Sequence, residues 1–405
     1  MGKIWRWYMS MSFMVKMTGG FLIGILLGVV LGEHSSFLAP LGTLFLNLLK
    51  MIVIPLVIFS LMVAVNHSNP KELGRIGLKI FPFYLFSTAI AVVIGIILAK
   101  VTNPGAGFSL PTEVVMDAPV RPSFVDTLLN MVPSNIFNAF AQGDILAVVF
   151  VSVIAGLAIL FMRHSLDEKQ QELGDFLFKL LEAGNEVISK ILNGILVYAP
   201  IGVLGITANT FGTQGLDTAI ALGKFIGTSY VGVIILVGVA FPIMMKVFGI
   251  KVIQFYKDIK EAAFTSFVTS SSIGTLPVTI KCAEKAGIGE RVAKLTLPIG
   301  ATVNMNGTAI RFGVAVIFAA EIMGMTLSTP ELATIVIIGT MAAIGTAGVP
   351  GAGLIGMSIV FTQAGLQIEI VALTGGINIL VDMIFTFGHV VGAFVGAKIV
   401  DENEN

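Results

Sequence analysis

Several residues able to do chemistry sit where an apolar sequence should have none. Asn304, Asn306, Thr308 and Arg311 fall inside an apolar run at roughly 295–320, and Asn378, Asp382, Thr386 and His389 fall inside another at roughly 370–399. An ionisable group in a hydrocarbon-spanning segment faces a partner, a cavity or a ligand rather than lipid. Steps of three and four place Asp382, Phe385, Thr386, His389 and Ala393 on one helical face. Asp382 is the only acid in the middle of its run, so it needs a cation or hydrogen-bond donors. That partner is either a substrate ammonium or a permanent pairing with Arg311 or His389. Arg311 offers a planar fork suited to a carboxylate, pairs with Asp382, or stacks on Phe385. His389 titrates near neutral pH and can carry a proton; a buried imidazole that only satisfies a hydrogen bond is the plainer reading.

The elements that position these residues are long and apolar. Hydrophobic residues make up 56% of the chain and charged residues 12%, about half the charged share of a soluble domain. The reading is therefore an all-α integral membrane protein within a lipid bilayer. A formal charge of zero removes nucleic acid as a partner, and a single cysteine, Cys282, excludes an intrachain disulfide. Trp5, Trp7 and Tyr8 beside Lys3 and Arg6 resemble an interfacial anchor before a retained first span. Runs of spanning length fall at roughly 13–32, 40–65, 78–100, 144–163, 186–208, 219–248, 295–320 and 370–399.

Three stretches break this pattern. Gly300–Arg311 is predicted to unwind over Asn304–Thr308, because freed backbone groups are tolerated at membrane depth only where they are buried or line a site. Segments at 254–284 and 332–364 carry Ser270-Ser-Ser-Ile-Gly-Thr-Leu-Pro-Val278 and Ile344-Gly-Thr-Ala-Gly-Val-Pro-Gly-Ala-Gly353. Both contain Ile-Gly-Thr followed by Pro and Val, and such paired interruptions point to a transporter site built from an internal repeat. Each is predicted to be a re-entrant hairpin, against the plainer alternative of a kinked span.

Basic residues set the expected topology. They gather at Lys71, Arg75 and Lys79, at Arg163, Lys169 and Lys179, and on both sides of the first hairpin, whereas Glu33–Pro40, Asn209–Thr218 and Thr362–Ile370 are poor in them. Both termini are then cytoplasmic, with the first hairpin entering from inside and the second from outside. Arg163–Asp175 reads as a polar linker, and a second boundary falls near residue 250.

At Ser270–Ser272, Thr275-Leu-Pro-Val278, Asn304-Met-Asn-Gly-Thr308, Gly345-Thr-Ala-Gly-Val-Pro-Gly351 and Asp382 the chain resembles the glutamate transporter homologues, the dicarboxylate/amino acid:cation symporter family. Leu49-Lys-Met-Ile-Val-Ile-Pro55 and Asn103-Pro-Gly-Ala-Gly107 match as well, so the resemblance covers nearly the whole chain. It implies eight transmembrane helices plus two re-entrant helical hairpins in inverted repeats, an elevator-type transporter, and a homotrimer in the cell membrane. Residues 1–75 and 111–215 would form the trimerisation scaffold. Residues 76–110 and 216–405 would form the moving transport domain, with the second hairpin as extracellular gate. The implied substrate contacts are Ser271, Ser272, Thr308, Arg311, Gly348, Val349, Pro350, Gly351, Asp382, Phe385, Thr386 and His389.

The departures from the family carry as much information. Sodium-coupled members have Asp at the place of Asn306, and Asn and Asp at the places of His389 and Ala393. Tyr84, Ser87, Thr88, Asn304, Met305 and Asn306 remain as residual, weak Na⁺ candidates without an anionic oxygen. Acidic-substrate members carry Arg at the place of Phe385 and Tyr at the place of Arg311, so the two residue types look exchanged. The expectation is a Na⁺-independent carrier of acidic or small neutral amino acids, with protons as a possible coupling ion and no cofactor. A membrane hydrolase built from Ser270–Ser272, His389 and Asp382 lacks a nucleophile-elbow pattern and is set aside.

Overall fold

The computed structural model describes residues 13–66, 73–108, 129, 132–143, 145–215, 217–346 and 351–404. The regular elements among them are all helical. The aromatic anchor at 5–8, Lys71 and the tip residues Gly348, Val349 and Pro350 lie outside the described residues.

The first half holds α1 (Phe13–Leu31), a 3-10 segment (Gly32–Leu38), α2 (Ala39–Asn66), α3 (Leu78–Thr102), the short α4 (Ile136–Gln142), α5 (Ile145–Arg163) and α6 (Glu168–Gln214). The connection expected over 163–175 is shorter, His164–Asp167, and the rest of the stretch is helical. Asp167 caps α6, its side chain accepting the Lys169 N–H at 3.0 Å, and Glu168 sits in the first turn, where the helix dipole favours acids. The apolar span expected at 186–208 is thus the later part of a helix of 47 residues.

The second half holds α7 (Asp217–Ile235), continued through a π-helical stretch (Leu236–Ala240) into α8 (Phe241–Val247). Then come α9 (Val252–Thr269) and α10 (Ser272–Lys285), joined at Ser270–Ser271, and α11 (Glu290–Val303) and α12 (Asn306–Ile322), joined at Asn304–Met305. Next are α13 (Thr329–Ile344) and α14 (Ala352–Gln363), the short α15 (Glu369–Gly375), and α16 (Asn378–Glu402). The helix break is narrower than Asn304–Thr308, because the chain is already helical at Asn306. A second interruption, at Gly376–Ile377, splits the last apolar run. The Gly376 backbone lies where any Cβ would collide with the Phe21 ring of α1.

Among the described residues, six helical stretches are long and apolar enough to cross a membrane, and four shorter apolar helices of 10–17 residues accompany them. The spans that carry the Asn304–Met305 junction and Asp382 are the inner ones. In the most apolar windows of Glu290–Ile322 and Leu380–Glu402, 94% and 83% of residues are buried, against 22% for Val15–Phe45 and 28% for Thr218–Val247. The helices sort by contact: α6 runs along α1, α2 and α5, while α12 packs on α3 and α16, and α9 and α11 pack on α16.

Backbone touches backbone between α3 and α12. A Cβ on Gly95 would collide with the Ile310 carbonyl, and one on Gly313 with the Val92 carbonyl, the small-residue contact that lets membrane helices approach closely. Gly313→Val is expected to cost about 1–3 kcal/mol or more by overpacking, read as a lower thermal unfolding midpoint in detergent. At the C-terminal end Glu404 pairs with Arg75 at 2.8 Å and with Lys79. The Lys79 hydrogen bond holds its carboxyl below the usual value, but pairs this exposed add little stability.

Candidate functional site

The centre of the site is a buried cluster in which α12 faces the start of α16. Arg311 is fully buried, as is Asn378, and Asp382 is 9% exposed. Arg311 Nη1 donates to Asn378 Oδ1 at 2.6 Å and to Asp382 Oδ1 at 3.2 Å. Asn378 Nδ2 donates to Asp382 Oδ2 at 2.6 Å, and the Gly351 N–H donates to the same oxygen at 3.0 Å. Charge, amide and backbone thus balance the carboxylate without His389. Gly351 adopts φ of 84° at the start of α14, so the backbone of the second helix pair lies directly on the acid. The pattern that singles out Asp382 to Ala393 passes over Asn378, yet its place four residues before Asp382 is a usable signal.

Arg311 does not stack on Phe385 among the described residues; the contact it makes is with Asn378 and Asp382. Phe385 is buried and serves the crossing of the two helices. A Cβ on Gly307 would collide with the Phe385 backbone, so only glycine allows α12 to pass α16 at that height. The Thr386 hydroxyl is spent on the Asp382 carbonyl of its own helix at 2.8 Å.

His389 pins both sides of the break. Its Nε2 accepts the Thr308 N–H at 2.9 Å and lies 3.1 Å from the Thr308 hydroxyl, and its carbonyl accepts Asn304 Nδ2 at 2.9 Å. A ring nitrogen that accepts an N–H carries no proton, so the proton of this imidazole is on Nδ1. The ring accepts at Nε2 and keeps its one proton for donation at Nδ1. An imidazolium has protons on both nitrogens, so charging the ring requires the Thr308 contact to break.

The residual cation candidates do assemble. Asn306 Oδ1 accepts from Thr88 Oγ1 at 2.9 Å and Ser87 Oγ at 3.3 Å; Ser87 Oγ also lies 3.5 Å from Asn304 Oδ1. The Tyr84 hydroxyl is turned to the Thr296 carbonyl at 2.9 Å. Met305 caps α12 with its carbonyl, which accepts the Ala309 N–H at 2.9 Å. Every oxygen is neutral, and Asn306 Nδ2 is a buried donor without a partner among the described residues. A hard cation needs oxygens turned inward and preferably charged; this set does not fit one. No group of three or more His, Cys, Asp or Glu side chains suited to a metal occurs among the described residues.

The serine-rich tip lies at the N-terminus of α10. Ser271 is its N-cap, accepting the Gly274 N–H at 3.0 Å, and Ser270 is forced to φ of 51°. The hydroxyls of Ser270 and Ser272 are buried and have no partner among the described residues. A small cleft lined by Ser272, Thr279, Gly300, His389 and Ala393 separates this tip from the break. Among the described residues nine buried side-chain polar atoms lack a partner, and five belong to Ser270, Ser272, Asn306 and Arg311. Native proteins leave few such atoms; here three of the five sit on α12 and two at the start of α10, and both helices pack on α16. No Ser–His–Asp chain forms, since Asp382 binds Arg311, Asn378 and Gly351, and His389 Nε2 meets Thr308.

An all-helical, multi-pass membrane protein whose innermost helices are interrupted at a buried polar site belongs to the secondary transporters rather than the enzymes. The chain is a member of the sodium:dicarboxylate symporter family, whose sequence model matches residues 13–403. It is similar to the proton/sodium-glutamate symport protein of Bacillus caldotenax, 29% identical over 399 residues, which is 94% of this chain and 93% of that one. It is similar to the C4-dicarboxylate transport protein of Bacillus subtilis, 29% identical over 402 residues and covering 96% and 93% of the two chains. The proton/glutamate-aspartate symporter of Escherichia coli is 28% identical over 404 residues, 95% of this chain and 91% of its own.

Proposed function

We propose that this chain carries small amino acids, acidic or small neutral, across the cell membrane by an elevator mechanism that does not depend on Na⁺. The observation that carries the reading is the set of unpartnered buried donors, on Ser272 in the cleft beside His389 and on Asn306 and Arg311 of α12, held on helices that both pack on α16. The expected contacts are Ser271, Ser272, Thr308, Arg311, Asp382, Phe385, Thr386 and His389, with the 348–351 tip closing over them. The α13–α14 pair acts as the gate, since Gly351 already bonds Asp382. Eight spans with two re-entrant hairpins, cytoplasmic termini and a homotrimer complete the proposal. The scaffold comprises 1–75 and 111–215, and the moving body 76–110 and 216–405; the way α6 gathers α1, α2 and α5 while α12 gathers α3 and α16 supports this division.

Independence from Na⁺ rests on the neutral Tyr84–Ser87–Thr88–Asn304–Asn306 cluster, whose oxygens are engaged with one another or with backbone. A proton is the coupling ion the site has chemistry for, and it carries a structural condition. If His389 takes a proton, the Thr308 N–H leaves Nε2 and the start of α12 shifts against α16. Uptake of labelled amino acids into proteoliposomes is expected to proceed equally in Na⁺ and in choline, and to accelerate with an imposed inward proton gradient. A rate that climbs steeply with external Na⁺ overturns the first expectation. Uptake indifferent to the pH step leaves an uncoupled carrier or exchanger.

A further inference from the structure

The step between α15 and α16 carries a glycine that the backbone does not ask for. Gly376 has φ of −62° and ψ of −37°, the ordinary right-handed helical conformation open to any residue. What it supplies is room. A Cβ there would lie 2.1 Å from Cδ2 and 2.5 Å from Cε2 of Phe21 on α1, so the half-buried ring occupies the space of the missing side chain. The ring is backed in turn by Phe211 of α6, edge to face, with centroids 6.4 Å apart and planes at 82°. One residue earlier, a Cβ on Gly375 would meet Val203 of α6 at 3.6 Å and Leu354 of α14 at 3.8 Å. Helices α1 and α6, which pack along one another, thus hold the step with an aromatic ring and a valine. Two residues further on is Asn378, whose amide takes a hydrogen bond from Arg311 Nη1 at 2.6 Å and gives one to Asp382 Oδ2 at 2.6 Å. The same oxygen accepts the Gly351 N–H at the start of α14. The place of the step therefore decides the place of Asn378, and through it how cation, acid and the α13–α14 pair are held together.

We propose that Phe21 is a positioning residue for transport. Seated on Gly376, its ring holds the α15–α16 step and with it Asn378, and the ring leaves that seat when the moving body travels. The proposal rests on the two-body reading above, in which α1 and α6 belong to the scaffold and α14, α15 and α16 to the moving body. Phe21 then acts on the site through Gly376 and Asn378 without touching substrate. The chemistry of the contact suits a seat that opens and closes. It is apolar and non-directional, so parting it leaves no hydrogen-bonding group without a partner.

The test is uptake of labelled L-aspartate and L-serine into proteoliposomes of the full chain, in two series. The first carries Phe21→Cys with Gly376→Cys, and Cys282→Ala to remove the one natural thiol. Cδ2 of Phe21 is two bonds from that residue's own Cβ, so the paired Cβ atoms fall near the about 3.5–4.5 Å that a disulfide spans. Oxidation should abolish uptake and reduction restore it, while the oxidised protein in detergent still binds the carried amino acid within a few-fold of the natural affinity. The second series stands if the cysteine variant does not fold. Gly376→Ala suits the backbone and meets only the ring, so alone it should raise KM about 10-fold by overpacking. Adding Phe21→Ala should bring KM back to within a few-fold of the natural value, a rescue that a general packing defect would not show. Phe21→Ala by itself should raise KM several-fold without lowering kcat. Full uptake by a cross-linked chain, a folded cysteine pair that does not cross-link, natural kinetics in Gly376→Ala, or no rescue by Phe21→Ala overturns the seat and leaves the transporter reading standing. A natural chain that carries neither amino acid overturns the transport reading, and the proposal with it.

Discussion

Asn306→Asp is expected to make the stability of this protein depend on Na⁺. Asn306 is fully buried, its Oδ1 holds the Ser87 and Thr88 hydroxyls, and its Nδ2 is idle. Aspartate has nearly the same shape, keeps the oxygen that accepts those two bonds, and replaces the idle donor with an anionic oxygen. Neither Lys nor Arg is described in contact with it, so the new charge is uncompensated. A buried charge without a partner costs about 3–5 kcal/mol. Na⁺ can supply the missing partner because Tyr84, Ser87, Thr88 and Asn304 already surround the position with oxygen. A ligand that binds only the folded state at 100 times its dissociation constant returns about 2.7 kcal/mol. The variant should therefore melt far below the natural protein in choline buffer and recover most of the difference in Na⁺, while the natural protein melts alike in both. A natural protein whose midpoint rises strongly with Na⁺ would show that the neutral oxygens suffice for the ion.

Much of this arrangement was legible in the residues. The apolar runs at roughly 78–100, 144–163 and 219–248 returned as helices because length and hydropathy decide such elements almost alone. The glycine- and serine-rich interruptions at Ser270–Ser271 and Asn304–Met305 returned as helix junctions for the reason that flagged them: polar and conformationally free residues have no other use in an apolar core. The errors came where a local signal met tertiary context. The stretch 163–175 is polar enough to pass for a linker, but Asp167 and Glu168 are also helix-start residues, and an amphipathic face then carries the helix onward. The break at Gly376 was hidden in part because the Phe21 ring that lies against this glycine is contributed from the far end of the sequence. Side-chain roles were least legible. Helical spacing put His389 on the right face but could not say that it meets the Thr308 N–H, since hydrogen-bond polarity depends on what lies opposite. The same holds for Arg311, whose three possible partners in the sequence resolve into a pairing with Asn378 and Asp382 that leaves one edge free.

Asp382→Ala is expected to be the most damaging single truncation in the site, and for a reason separate from substrate. Removing the carboxylate leaves the fully buried Arg311 with only the Asn378 amide for company and frees the Gly351 N–H from its acceptor. Loss of one partner of a buried ion pair costs about 3–5 kcal/mol because the survivor stays charged in a medium that cannot solvate it. Removing both charges behaves differently. Arg311→Met with Asp382→Leu fills a similar volume with apolar atoms, relieves the two idle guanidinium nitrogens as well, and should recover most of the stability or exceed that of the natural protein. Transport should be lost in the single and the double variant alike. Thermal unfolding of the four proteins in detergent closes the double-mutant cycle, and a coupling of at least about 2 kcal/mol between the positions is the expected result. Simple additivity would mean that the 3.2 Å contact is not a charged pair in the folded protein. Strong coupling with a stable but inactive double variant would mean that the pair is kept at a cost to stability, which is reasonable only if its charges meet something that arrives from outside the chain.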